Sequence, residues 1–256
     1  MKENKRIIKF KGISLILGIG LIAVLVSCSK KEDNNTLRFK KESEHFIFYS
    51  TDKDEKILDD LEKCLEDNYD GISKNLNVNS KKKVNVNIYP DIESFHNGIG
   101  MSDAEDWVVG VAKEGEMFMV SPLNPGSVHT YDSLMKVIVH EYVHILVGEI
   151  TNSTYSYLNE GIAVVESKQI DENMKAYLKH ITNLNKLPSI EDMEKNYSNL
   201  ENPYQVSGGF VEFIVNEYGY EKMRDIIEEP ESIEDITGTS KELLEENWEK
   251  YILENY

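Results

Sequence analysis

Leu134-Met135-Lys136-Val137-Ile138-Val139-His140-Glu141-Tyr142-Val143-His144-Ile145-Leu146-Val147 is the stretch on which the reading of this chain turns. Apolar residues surround it on nearly every face, so as a helix it belongs in a core rather than on a surface. His140 and His144 stand four residues apart, about one helical turn, and therefore share a face. Two imidazoles and the Glu141 carboxylate in such a helix cost stability unless each finds a partner. One divalent metal ion with a bound water would satisfy all three, and this spacing suits zinc. The plainer reading is a buried helix whose histidines are hydrogen-bonded within the core.

A catalytic zinc is held by three protein ligands and keeps a fourth position open for water. Downstream of the first stretch, Tyr157-Leu158-Asn159-Glu160-Gly161-Ile162-Ala163 follows a polar turn and opens a second apolar helical run. That run can fold back on the first, which makes Glu160 the candidate third ligand.

Upstream the periodicity is that of strands and one long helix. His45-Phe46-Ile47-Phe48-Tyr49 reads as the strand that opens the fold, and Ile57, Leu58, Leu61, Leu65, Tyr69 and Ile72 fall at helical spacing. Val84, Val86 and Ile88 alternate with Asn85 and Asn87, the period of a half-buried strand, and Pro90 closes it. Trp107 to Ala112 and Glu116 to Val120 are two further strands, whose short Lys113-Glu114-Gly115 link predicts a hairpin. From Tyr131 onward the pattern is mainly helical, with Gly148 and Gly219 as helix stops and a capping box at Thr239 and Glu242 before a last helix carrying Leu243, Leu244, Trp248 and Ile252. The expected class is α+β. An N-terminal mixed α/β lobe with a small twisted sheet occupies 39–149 and includes the helix of His140 and His144, and an α-helical lobe occupies 150–256.

The N-terminal stretch differs in character. Lys2, Lys5, Arg6, Lys9 and Lys11 precede the apolar run Ile13 to Val26, which ends Leu25-Val26-Ser27-Cys28. This run is shorter than the roughly 20 residues of a spanning helix and suits the core of an export signal. Its end resembles the lipobox of bacterial lipoproteins. That resemblance implies that residues 1–28 are a signal peptide, that Cys28 is lipidated, and that the body sits at the extracytoplasmic face of the cell membrane. An uncleaved anchor or an ordinary secretory cleavage would leave the body on the same side. Residues 29–38, polar and charged from Ser29 to Thr36, read as a tether, and 39–256 as the functional domain.

The whole chain of 256 residues carries a net charge of −18. Residues 1–28 hold five basic residues and one acidic residue, so 23 basic and 45 acidic residues remain beyond them, a net charge of −22. Such an acidic body disfavours nucleic acid as a partner. With Cys28 lipidated, Cys64 is the one cysteine left, which excludes an intramolecular disulfide and suits a small apolar core residue.

At His140-Glu141-Tyr142-Val143-His144 and Asn159-Glu160-Gly161-Ile162-Ala163 the chain resembles the gluzincins, the thermolysin-like clan of zinc peptidases. The likeness is closest to small bacterial peptidase MA-like domains, and Phe46 to Tyr49, Val84 to Ile88 and Trp107 to Gly110 resemble the strands that precede their active-site helix. The resemblance implies one zinc ion on His140, His144 and Glu160, with Glu141 as the base that activates water. It implies that the strand near Met117 to Val120 is the cleft edge that pairs with an extended peptide. Tyr204-Gln205-Val206-Ser207-Gly208 resembles the segment after the zinc-ligand helix, so Tyr204 is the candidate donor to the oxyanion, with Tyr155, Tyr157 and Tyr197 competing. Val164 departs from the thermolysin pattern, which often has an acidic residue there, and no partner for either zinc histidine is assigned. His45, His96, His129 and His180 read as surface or capping groups, Glu166 as a solvent-facing or supporting carboxylate, and Trp107 and Trp248 as core anchors. The expected activity is hydrolysis of peptide bonds in peptide or protein substrates. A catalytically silent zinc- or solute-binding lipoprotein of the same fold is the alternative.

Overall fold

The computed structural model describes residues 36–256; the expected signal peptide, Cys28 and nearly all of the expected tether lie outside the described residues. The strands are β1 (Arg38–Glu42), β2 (Phe46–Ser50), β3 (Val84–Tyr89), β4 (Gly110–Lys113) and β5 (Glu116–Val120). They form one five-stranded mixed sheet in the order β1-β2-β3-β5-β4. β2, β3 and β5 run parallel, and β1 and β4 are antiparallel additions at the two edges. Alternation works as the sequence predicts: Phe46, Phe48, Val84, Val86, Ile88, Met117 and Met119 are buried on one face.

Two long helices cover that face. α1 (Leu58–Leu76) buries Leu58, Leu61, Leu65, Ile72 and Leu76 and ends at Asn77, whose φ of 51° is left-handed. α3 (Tyr131–Ile150) begins at a capping box in which Thr130 accepts from the Ser133 amide and Ser133 accepts from the Thr130 amide. Its buried residues run from Leu134 to Val147, as the apolar composition requires. The short α2 (Ile92–Gly98) joins β3 to the loop before β4.

The rest is helical: α4 (Ser156–Glu166), α5 (Glu172–Asn183), α6 (Ile190–Asn196), α7 (Pro203–Glu228), α8 (Ile233–Thr237) and α9 (Lys241–Asn255). α4 lies unusually close to α7. A Cβ on Gly161 would fall 2.6 Å from the Ser207 carbonyl oxygen, and one on Gly208 would fall 2.5 Å from Val164 Cγ1. Glu166 ties three helices together: both its oxygens accept from Asn75 Nδ2 of α1 at 3.1 Å, and it is hydrogen-bonded to Tyr220 of α7. It is buried, which pushes its carboxyl above the usual range, so the solvent-facing option for this residue is wrong.

Several expectations are corrected. β1 precedes the run that the sequence reading takes as the opening strand. Trp107 and Val108 lie outside the hairpin, whose strand β4 starts at Gly110 with the Val109 carbonyl still bonded to the Val120 amide, and which turns at Glu114 and Gly115, with φ of 54° and 80°. Both positive angles are what a two-residue turn of this hand demands. Gly148 sits inside α3, whereas Gly219, φ 84°, breaks the helical path of α7. The cap of α9 is Ser240, which accepts from the Leu243 amide, in place of Thr239. β5 is interior, paired on both sides, so the open edge beside α3 belongs to β4. Among the described residues, no helix is long and apolar enough to cross a membrane.

Candidate metal centre and cleft

α3 and α4 bring three of the sequence-predicted residues to one point. One ligand atom each from His140, His144 and Glu160 lies within 4.8 Å of the others, a group that could hold a metal ion. Glu160 Oε2 is 3.2 Å from His140 Nε2 and 3.5 Å from His144 Nε2. The two imidazole rings stand 4.7 Å apart and nearly perpendicular, as an i, i+4 pair on one helix allows.

The outer nitrogens of both rings have partners that sequence reading missed. His140 Nδ1 donates to Gln169 Oε1 at 3.1 Å, and His144 Nδ1 donates to Asn159 Oδ1 at 3.0 Å. An amide oxygen only accepts, so each pairing places a proton on Nδ1, and in the neutral ring, the form that binds metal, the Nε2 lone pair faces the centre. Asn159 lies beside Glu160, inside the quoted motif; Gln169 lies past the end of α4 and has no local signal pointing at α3. This donor set, with both inner nitrogens turned to one carboxylate oxygen, fits a divalent cation.

Electrostatics around the centre are strong. Burial would raise the Glu160 carboxyl, but hydrogen bonds and charge from His140 and His144 hold it down at about 2. Burial would likewise lower the His144 imidazole, yet Glu160, Glu141 and Asn159 raise it to about 9. Without a metal, this site retains a proton on His144 at neutral pH.

Glu141 is buried beneath the edge strand, where burial raises its carboxyl and the Ala112 backbone N–H donates to it. The space for it exists because residue 110 has no side chain: a Cβ there would lie 2.7 Å from Val137 Cγ1 and 2.9 Å from Glu141 Oε1. The β4 backbone also faces the cleft. Val109 accepts from the Val120 amide at 2.9 Å, so in the alternating antiparallel ladder Val109, Val111 and Lys113 turn their polar groups to β5. Gly110 and Ala112 turn theirs outward.

The cleft of about 1110 Å³ runs along β4 and over the His/His/Glu group. Tyr204, at the start of α7, lines it, with its ring 6.4 Å from that of His140. Burial and the nearby carboxylates of Glu160 and Glu141 push its phenol up to about 12, so it carries its proton at neutral pH. Of the competing tyrosines, Tyr157 is fully buried against Tyr155 and Phe210, and Tyr197 packs near the Ser207 hydroxyl. None of the three lines the cleft.

The surface reading fails for His96 and the core reading for Trp107, while His129 remains a partly exposed group. His96 is buried and its Nε2 donates to the Val108 carbonyl at 2.9 Å, while His129 Nε2 donates to the Trp107 carbonyl at 3.0 Å. Both hold the loop that leads into β4. Trp248 is a core anchor, but Trp107 is half exposed on the cleft wall.

The fold and this site define a class, and the sequence comparison agrees: residues 68–254 match the model of the Peptidase MA superfamily. The chain belongs to that superfamily. No curated protein matches it.

Proposed function

We propose that this chain is a zinc metallopeptidase that hydrolyses peptide bonds with water, with zinc held by His140, His144 and Glu160. The observation that carries the reading is the convergence of two Nε2 atoms and one carboxylate oxygen beside a second, buried carboxylate, at the floor of a cleft with an open strand edge. Bound there, zinc would supply a Lewis acid and a water whose pKa is lowered to about 7. Glu141 would accept the proton of the attacking water and deliver it to the leaving amine; burial, which raises its carboxyl above the usual range, supports this role. Tyr204 donates its phenolic proton in a hydrogen bond to the oxyanion. The outward amide and carbonyl of Gly110 and the outward carbonyl of Ala112, whose amide is held by Glu141, bind the substrate backbone as an added strand, with peptides and proteins as the substrate class. Cys28 carries lipid and holds the enzyme at the extracytoplasmic face of the cell membrane, a reading that rests on the lipobox resemblance.

The test is metal content by mass spectrometry together with peptide hydrolysis. Wild-type chain is expected to hold one zinc, lost in His144→Ala and in Glu160→Ala, and Glu141→Gln is expected to keep zinc while losing turnover. Zinc retained with no cleavage of a broad peptide library would favour the silent binding protein.

A further inference from the structure

The cleft is chemically lopsided. On one side of the metal centre its wall carries Lys82, Lys113, Glu114 and Glu149, all exposed and polar. On the other it carries Tyr204, Trp107, Met101 and Val128, with 38%, 52%, 46% and 58% of their surface open to water. Four large apolar side chains at one cleft end, left uncovered in an otherwise strongly acidic body, mark a binding surface.

This wall is built rather than loose. Trp107 meets Tyr204 edge to face at 6.5 Å, and Tyr204 in turn lies 6.4 Å from the His140 ring. The Trp107 and Val108 carbonyls are fixed by His129 and His96, the latter buried. The wall is therefore continuous with the metal centre and held at a set distance from it.

We propose that this wall is a specificity subsite for a bulky apolar or aromatic side chain of the peptide substrate, set back from the bond that is cut. The inference rests on the peptidase reading and adds the substrate class. Two ring-to-ring steps of 6.4 and 6.5 Å put Trp107 no more than about 13 Å from His140. At roughly 3.3 Å per extended residue, that is within about four positions of the scissile bond, on one side only. The polar end of the cleft gives no such preference.

The experiment uses the zinc-loaded Glu141→Gln chain and blocked peptides that are identical except for Phe or Ser at one position, moved along the sequence around a bond mapped with wild type. Affinity is read by calorimetry, and contact with the wall by tryptophan emission. The chain has two tryptophans and Trp248 is fully buried, so an emission change reports Trp107. The Phe peptide is expected to bind about tenfold or more tightly than its Ser twin at a position within that reach, on one side of the bond, with an emission change. In Trp107→Ala, whose side chain is half exposed, the advantage of the Phe peptide over its Ser twin is expected to shrink to about twofold; Met101→Ser is expected to give a partial loss. Equal binding of Phe and Ser peptides at every position, or an advantage untouched in both variants, would overturn the subsite alone. If wild-type chain loaded with zinc cleaves no peptide, so that there is no bond to map, the peptidase reading itself falls, and the subsite with it.

Discussion

Gly110→Ala tests whether the Glu141 carboxylate, the proposed base, owes its place to an absent side chain. The added Cβ would sit 2.9 Å from Glu141 Oε1, 3.0 Å from Glu141 Cγ and 2.7 Å from Val137 Cγ1. Comfortable carbon contacts begin near 3.5 Å, so Glu141 must retreat by about half an ångström or more, or β4 must lift away from α3. A misplacement of about 1 Å in a catalytic group can reduce rate by about a hundredfold, so a loss of about ten- to a hundredfold in kcat/KM is expected. Overpacking adds a stability cost of about 1–3 kcal/mol, visible as a lower Tm by circular dichroism. Zinc content should stay at one per chain, because the three atoms nearest the added Cβ belong to Val137 and Glu141 and not to a candidate ligand. The assay is steady-state cleavage of a quenched fluorogenic peptide, with metal content measured on the same sample. Activity close to wild type in a folded Gly110→Ala chain would refute the argument that the Gly110 gap positions Glu141.

Three further outcomes are expected. Replacing the histidine partners one at a time, as Asn159→Leu and Gln169→Leu, should weaken zinc binding by about 10–100-fold each, measured by competition with a chromophoric chelator; unchanged affinity would mean that those hydrogen bonds do not orient the rings. In the same assay, affinity should rise with pH by about tenfold per unit up to about 9, because His144, which Glu160 and Glu141 keep protonated to about that pH, must lose its proton to bind metal; a pH-independent affinity between 6 and 8 would contradict the assigned charge state. Gly161→Ala puts a methyl 2.6 Å from the Ser207 carbonyl and 2.4 Å from Val211 Cγ2, and a backbone atom cannot swing aside. The chain should lose about 3 kcal/mol, near the upper end for overpacking, and an unshifted melting curve would show that α4 and α7 can separate at little cost.

Much of this architecture is legible locally. The period of two in Val84 to Ile88 and the helical spacing from Ile57 to Ile72 each identify their element, because a half-buried element repeats its apolar residues at its own backbone period. The i, i+4 placement of His140 and His144 guarantees a shared face wherever the helix goes, and the nearly all-apolar flanks demand that the face be buried. Boundaries and caps were less legible: Ser240 and Thr239 are both acceptable caps on composition, and only the backbone angle at Ser240 chose between them.

Local pattern and spacing were enough for the main strands and helices around the site, the two-histidine face and the candidate carboxylates at 141 and 160, but not for β1. The tertiary structure decided which groups meet. Strand periodicity says nothing about neighbours, so the open edge fell to β4 only once β5 had paired on both sides. Gln169 reaches His140 across 29 positions of sequence, and the small residues at 110, 161 and 208 matter through backbones and side chains that only folding brings within contact. Trp107 shows the same limit from the other direction: a large aromatic residue reads as core, yet it stands exposed on the cleft wall, in a loop whose carbonyls His96 and His129 hold from distant positions. Contacts between distant segments are set by how whole elements pack, and one segment's own pattern carries no record of its partner.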